Sequence, residues 1–250
     1  MLKRLKMDLH IHTCLSPCGE REMVPTEIIN RAKELGLDAI GICDHNSAEN
    51  VVAVKKAGKK ESLAVIGGIE VTSREEVHIL ALFDNDEDVF ELQHIVYENL
   101  HGKNEAKVFG EQIIVDEQDE IIGINHRLLI GATDLTVDKI VDIVHFLKGL
   151  CFASHIDRER FGIIGQLGFI PEGLKLDAAE VSPKTIPSEF NQTLGVPLVT
   201  FSDAHTIQDI GNSYTEFLIN KPSVAEIKKA LLDEDGRLIV TYFRHSREFN

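Results

Sequence analysis

The chain has 250 residues, 43% of them hydrophobic, and a formal net charge of −15. That length suits one large α/β domain or two small ones, with a substantial core. The acidic balance argues against a broad nucleic-acid groove, though not against a small anion held by metal ions, because bound cations invert the local field.

Residues 1–6 are basic, but no apolar stretch of signal-peptide length follows them. No run of about 18 uncharged apolar residues occurs, so no membrane partner is expected. The cysteines Cys14, Cys18, Cys43 and Cys151 form no C-x-x-C pair, and a reduced cytoplasmic chain is the default expectation.

In chain order, apolar runs predict strands over 5–11, 39–43, 64–69, 77–83, 150–154, 178–181 and 197–201, with an eighth over 215–219. Helical patterns fall between them. Pro25 suits a first helical position and Gly36 the residue past a helix end. Residues 136–148 are amphipathic and stop at Gly149, and Ser223 with Glu226 forms a capping-box pattern for a helix ending near Gly236. The alternation suggests βα units around a parallel sheet. Residues 112–125 break it and predict a hairpin, 113–115 with 121–124, inside an insertion over one barrel end spanning 109–133.

Ligand-type residues recur at the ends of these strands. On the first, Leu5, Met7, Leu9 and Ile11 alternate with Lys6, Asp8, His10 and His12. Two histidines two apart on a strand present both imidazoles to one point, a chelate for a borderline divalent ion. Later strands run into Asp44-His45, Glu70, His155 and Asp203-Ala204-His205, and His78 opens the fourth. In barrels of parallel strands the C-terminal ends converge on one mouth. His78 fits that rule least and suggests an antiparallel or offset strand. Each residue alone has a plain structural reading, a helix cap for Asp44 or a satisfied core histidine for His155. The repetition carries the metal reading. His94, His101 and His145 lie in helical patterns, His126 follows the hairpin and His245 lies in the polar tail, so these five are left outside the site.

Asp8-Leu9-His10-Ile11-His12-Thr13, Asp44-His45, Gly68-Ile69-Glu70, Val77-His78, Ser154-His155 and Ser202-Asp203-Ala204-His205 together resemble the PHP family, named for polymerase and histidinol phosphatase. The resemblance implies a distorted (βα)7 barrel with a trinuclear centre of manganese, zinc or iron. His10, His12, Glu70 and Asp203 would hold one ion, Glu70 would bridge to a second held by His78 and His155, and His45 and His205 would hold a third. The family usually supplies another ligand five or six residues after the second histidine, where this chain has Pro17 and Cys18. Cys18, or one of Glu20 and Glu22, would then complete the third position, with a weakened site as the plain alternative.

Two or three close divalent ions suit hydrolysis of a small phosphate ester such as a nucleotide, histidinol or sugar phosphate, because they neutralise the phosphate and acidify a water between them. Asp44 is expected to orient a ligand histidine or accept a proton, and Asp8 to support the ligands. Arg158, three residues after His155, is the first candidate for phosphate contact, with Arg127 and Lys184 weaker ones, and Ser182 is placed to line the pocket. Three other readings compete: an exonuclease on oligonucleotide ends, an amidohydrolase (which wants a bridging lysine where this chain has Glu70), and a regulatory domain that has lost its chemistry.

Overall fold

The protein is described here by a computed structural model, which covers residues 1–182 and 195–244. Strand β1 (Lys3–Ile11) is followed by α1 (Pro25–Glu34), β2 (Ala39–Ile42), α2 (Val51–Lys60), β3 (Ala64–Thr72), β4 (His78–Phe83) and α3 (Asp86–Asn99). Then come α4 (Ala106–Phe109), β5 (Ile113–Val115), β6 (Ile121–Ile124), α5 (Val137–Phe146), β7 (Leu150–Ala153), α6 (Ile163–Leu167), β8 (Ala178–Glu180) and β9 (Leu198–Val199). The described chain ends with β10 (Ser213–Ile219), α7 (Val224–Leu231) and β11 (Leu238–Arg244).

The main sheet runs β11-β10-β1-β2-β3-β4-β7-β8-β9. Past β9 the chain returns to the far end of β1: the His12 amide donates to the Ala204 carbonyl at 3.0 Å, and Ile11 bridges Ala204 in parallel. Seven strands, β1 to β4 and β7 to β9, thereby close into the expected distorted (βα)7 barrel. The distortion is β4, which runs antiparallel to both β3 and β7. Reversal sets its first residue, His78, opposite Thr72 near the end of β3, so a strand start joins the mouth made by strand ends.

Two apolar clusters hold the barrel. One packs the sheet against α1, α2, α3 and α5 through residues such as Ile29, Val54, Leu92 and Ile140. The other gathers Met7, Leu9, Leu80, Phe152, Phe201 and Phe217 with α7. Strict alternation would put Leu9 and Ile11 on one face; instead Leu9 joins the second cluster and Ile11 the first. The β1–β2 register shifts between Asp8 and Ile11, and a bulge of this kind re-aims the side chains beyond it. His10 and His12 still converge, their Nε2 atoms 3.3 Å apart.

Several expectations shift in detail. Residues 197–201 give only the two-residue β9, because the Thr200 amide donates to Thr215 Oγ1 and the Ser202 amide to Asp8 Oδ1 instead of a ladder. The last helix stops at Leu231, short of Gly236, with a separate 3-10 turn beyond it. Half of its capping box forms: Ser223 Oγ accepts the Glu226 amide, while the Glu226 carboxylate turns to the Asn220 amide. Strand β11 is an addition to the expected elements; it pairs with β10. The hairpin β5–β6 is a separate sheet, tied to the loop after β1 by the Ile113 amide on the Cys14 carbonyl and to α2 through Asn50.

Candidate metal centre

At the mouth Glu70 is ringed by imidazoles. Nitrogens of His10, His12, His45, His78 and His155 lie 3.3, 3.5, 3.0, 3.1 and 3.3 Å from its carboxylate oxygens. All six residues are buried, yet neither Glu70 oxygen has a hydrogen-bond partner, nor does Nδ1 of His45 or His78. Buried polar atoms left unpaired are costly, so lone pairs converging without hydrogen bonds mark a place built for a cation. His10 and His12 add to this: their Nε2 atoms face each other at 3.3 Å, and His12 Nε2 lies 3.2 Å from Asp203 Oδ1. The donor set, imidazole and carboxylate, matches manganese, zinc or iron.

Ligand atoms within 4.8 Å of one another form three overlapping groups: His10, His12, Glu70 and Asp203; His45, Glu70 and His78; and His12, His45 and His205. The first is the set expected for the first ion. His12 and His45 each serve two groups, whereas a strict division by ion would assign each to one. His155 reaches Glu70 through Nε2, and both His155 and Asp203, just past β7 and β9, sit at positive φ. Such backbone is costly for residues with a side chain and collects where geometry is being held for function.

Ring orientation comes from partners behind the site. Nδ1 of His10 bonds the buried Glu180 carboxylate at 2.8 Å, Nδ1 of His12 bonds Ser16 Oγ at 2.9 Å, and Nδ1 of His205 donates to the Asp203 carbonyl at 2.8 Å. Each leaves Nε2 for the mouth, the usual arrangement behind a metal-binding histidine. The ring of Phe161 stacks on His78 at 4.4 Å, and its carbonyl accepts the His78 amide. Asp44 accepts from the Thr13 amide, Thr13 Oγ1 and Ser16 Oγ. With both oxygens engaged, it reaches His12 through Ser16. Asp8 lies deeper and accepts the Ser202 and Gly211 amides, anchoring the segment that carries Asp203 and His205.

The charge states of the two carboxylates, and of His12 and His78, suit a cation, whereas the neighbouring carboxylates hold His10 well above the usual imidazole range despite its burial. Burial would neutralise Glu70, but His78, His10 and His45 hold it well below the ordinary carboxylate range. Asp203 is likewise held low, against burial, by His10 and His12. Burial, with His205 and His45 beside it, drives His12 well below the usual imidazole range, and burial brings His78 down to about 4. Cys18 is exposed at the rim.

Arg158 pairs with Asp203 at 2.6 Å, and its side chain is 42% exposed. Ser182 is bound to Asp157, and Arg127 lies over the Tyr97 ring, 4.0 Å from its centroid. Lys184 and His245 fall outside the described residues. Of the histidines set aside, His94 and His101 pair at the surface with Glu98 and Asp134, and His145 pairs with Asp177. His101 lies just past α3 instead of within a helix. Sequence reasoning passed over Glu180 and Ser16. A glutamate between Ala179 and Val181 on a buried strand was the available signal, since a buried carboxylate needs a partner; Ser16 carried none.

A family model for the PHP domain matches residues 8–165, and one described as PHP-associated matches residues 188–235. A 5'-3' exoribonuclease of Haemophilus influenzae is 30% identical over 80 residues, covering 31% of this chain and 28% of that protein. A phosphoribosyl 1,2-cyclic phosphate 1,2-diphosphodiesterase of Eggerthella lenta is 26% identical over 80 residues, 30% of this chain and 29% of that protein. The chain thus spans under a third of these two relatives' own length. Among solved structures, the lesion-specific endonuclease EndoQ of Pyrococcus furiosus superposes with a TM-score of 0.73 at 18% identity, covering 96% of this chain and 58% of that one. The matched model covers more than half of the chain and includes His10, His12, His45, Glu70, His78 and His155: the chain belongs to the PHP domain family.

Proposed function

We propose that the protein is a metal-dependent phosphoesterase acting on a small soluble phosphate ester. The observation that carries this is the Glu70 carboxylate, buried among five imidazole nitrogens at 3.0 to 3.5 Å with no hydrogen bond of its own. His10, His12, Glu70 and Asp203 would hold one divalent ion, Glu70 with His78 and His155 a second, and His45 with His205 a third. Bound there, manganese, zinc or iron would neutralise a phosphate and lower the pKa of water. The chain's own residues do the rest. Glu180 and Ser16 fix the tautomers of His10 and His12, and Asp44 holds Ser16. Arg158, half-exposed at the mouth, offers its planar fork to phosphate oxygens once a substrate draws it from Asp203. We read residues 1–250 as one barrel domain working in the cytoplasm, with 109–133 inserted beside the mouth. No helix among the described residues is long and apolar enough to cross a membrane.

A second reading, a phosphodiesterase at nucleic-acid ends, draws on the names of the exoribonuclease and the diphosphodiesterase. The net charge of −15 weighs against a long polymer. A panel of phosphomonoesters and matched diesters, assayed with manganese, zinc and iron, separates the two. Monoester turnover abolished by chelator supports the first reading, and turnover of diesters alone moves the assignment to the second. Chelator-resistant hydrolysis, or none with any ion, overturns both.

A further inference from the structure

We propose that the cavity beside the hairpin β5–β6 is a second binding site, separate from the mouth, for a small phosphorylated ligand such as a nucleoside monophosphate. Lys103 and Arg127 would take its phosphate. None of the residues lining this cavity belongs to the ligand groups of the mouth, so the site stands whichever ion or ester the mouth takes.

The cavity measures about 380 Å³ and is lined by Lys103, His126, Arg127, Glu49, Ile114 and Ile124, among others. That volume is ordinary for a small-molecule pocket. Its charge is not ordinary for a chain of net charge −15. Lys103 and Arg127 are antiparallel bridge partners, and beside them the Asn104 amide bonds the His126 carbonyl at 2.9 Å. Residues directly opposite in this way share a face, where two like charges repel. Among the described residues neither makes an ion pair, although the chain has 41 acidic residues to offer. An anion lying between the two cations would relieve that repulsion.

Arg127 is also held in place. Buried Gln112 donates to the Arg127 carbonyl at 2.6 Å and to the Asn125 carbonyl at 2.8 Å. The Arg127 amide donates to Asn125 Oδ1 at 2.8 Å, and the guanidinium lies 4.0 Å from the centroid of the Tyr97 ring. Tyr97 is fixed in turn, its hydroxyl bonding Ser47 Oγ at 2.7 Å and accepting from Asn125 Nδ2 at 2.8 Å. A guanidinium stacked on a ring loses less freedom on binding, so its fork meets a phosphate already oriented. The rest of the lining describes the rest of the ligand. Ile114 and Ile124 offer an apolar wall. Glu49, which accepts from Asn125 Nδ2 at 2.6 Å, repels a phosphate and suits an N–H or O–H donor. A phosphate joined to a flat body that carries donors, as in a nucleotide, satisfies all three.

The test is calorimetric titration of the chelator-stripped full chain with adenosine 5'-monophosphate, adenosine and inorganic phosphate. Without ions the mouth turns nothing over, so the result is independent of the proposed activity. Wild type should bind the monophosphate about tenfold more tightly than either fragment, and added salt should weaken it, because the cations are exposed. K103A and R127A should each lose about tenfold in affinity, the worth of one charge-assisted hydrogen bond, and R158A, altered at the mouth, should match wild type. Circular dichroism checks folding, and K103A, which leaves the Tyr97 stack intact, decides the matter should R127A misfold. Three results would overturn the proposal. Wild type fails to bind the monophosphate, or binds it unchanged after K103A, or loses it in R158A, which would place the phosphate at the mouth. A single-stranded DNA decamer held through Lys103 and Arg127 where the monophosphate is not would replace the small-ligand site with a nucleic-acid surface.

Discussion

The inner and outer halves of the mouth are built differently. His10, His12, Glu70 and Asp203 are buried and stand on or just past barrel strands, and His10 and His12 are held from behind by Glu180 and Ser16. His205 and Cys18 stand on loops at the rim, with His205 25% exposed and the loop of Cys18 tied down mainly by backbone turns. Sites on strands hold geometry better than sites on loops, and closely held geometry favours chemistry. The inner half is therefore suited to essential ligation, and the outer half to tuning affinity and ion preference.

The sharpest way to break that division is Glu70→Gln, since Glu70 belongs to two of the three ligand groups. Activity should fall at least about 10³-fold, the rate equivalent of several kcal/mol of lost charge stabilisation, and metal content should drop by more than one ion. A Glu70→Gln variant with full metal content would end the claim that this carboxylate is the hub.

Next comes the support behind the inner half. Removing the carboxylate in Glu180→Ala leaves the His10 Nδ1 group without its buried acceptor. Loss of an outer partner of this kind costs about 10- to 100-fold in metal affinity. Isothermal titration should show that loss, and Glu180→Gln, which keeps an acceptor oxygen, should recover part of it. Equal affinity in Glu180→Ala and wild type would show that His10 is oriented by the strand alone.

Gly68→Ala tests how far strand geometry itself sets Glu70. A Cβ at Gly68 would meet the Ala81 carbonyl oxygen at 2.3 Å and Cys43 Sγ at 2.9 Å. The first is backbone, so β3 must move from β4, carrying Glu70 two residues on. The expected loss of stability is about 1–3 kcal/mol, as for other overpacked cores, measured by urea unfolding without metal. A neutral substitution would mean that the barrel yields more than its close packing suggests.

The inner half was also the more legible in the sequence, for a physical reason. His10, His12 and Glu70 sit on or beside apolar alternation that announces a strand, and strand ends in a barrel share a mouth. His78, at the start of reversed β4, fits that rule least and rests more on the family resemblance. What stayed hidden depends on tertiary contact. Ser16 meets His12 and Asp44 only because its loop turns back, and Glu180 meets His10 across 170 residues. The β1 bulge escaped because alternation assumes an unbroken ladder, and it separates Leu9 from Ile11. Strand β11 was legible but not read: Leu238-Ile239-Val240-Thr241-Tyr242-Phe243 is a run of the β-branched and aromatic types that mark a strand.

The mildest expected change lies at the rim. His205 touches no carboxylate closely: its Nδ1 is 3.8 Å from Asp203 Oδ1 and is already engaged by the Asp203 carbonyl. What it adds to the centre is Nε2 and a ring stacked on His12, with centroids 4.1 Å apart. His205→Ala should therefore remove the outer ion and leave the inner ligands in place, because His10 and His12 keep Glu180 and Ser16 behind them. Turnover at saturating metal should fall within about tenfold, or about 1.4 kcal/mol, far less than for Glu70→Gln. Metal counting alongside the assay separates the cases. If His205→Ala loses all ions, or loses activity as completely as Glu70→Gln, the two halves act as one unit and the rim is essential to the chemistry.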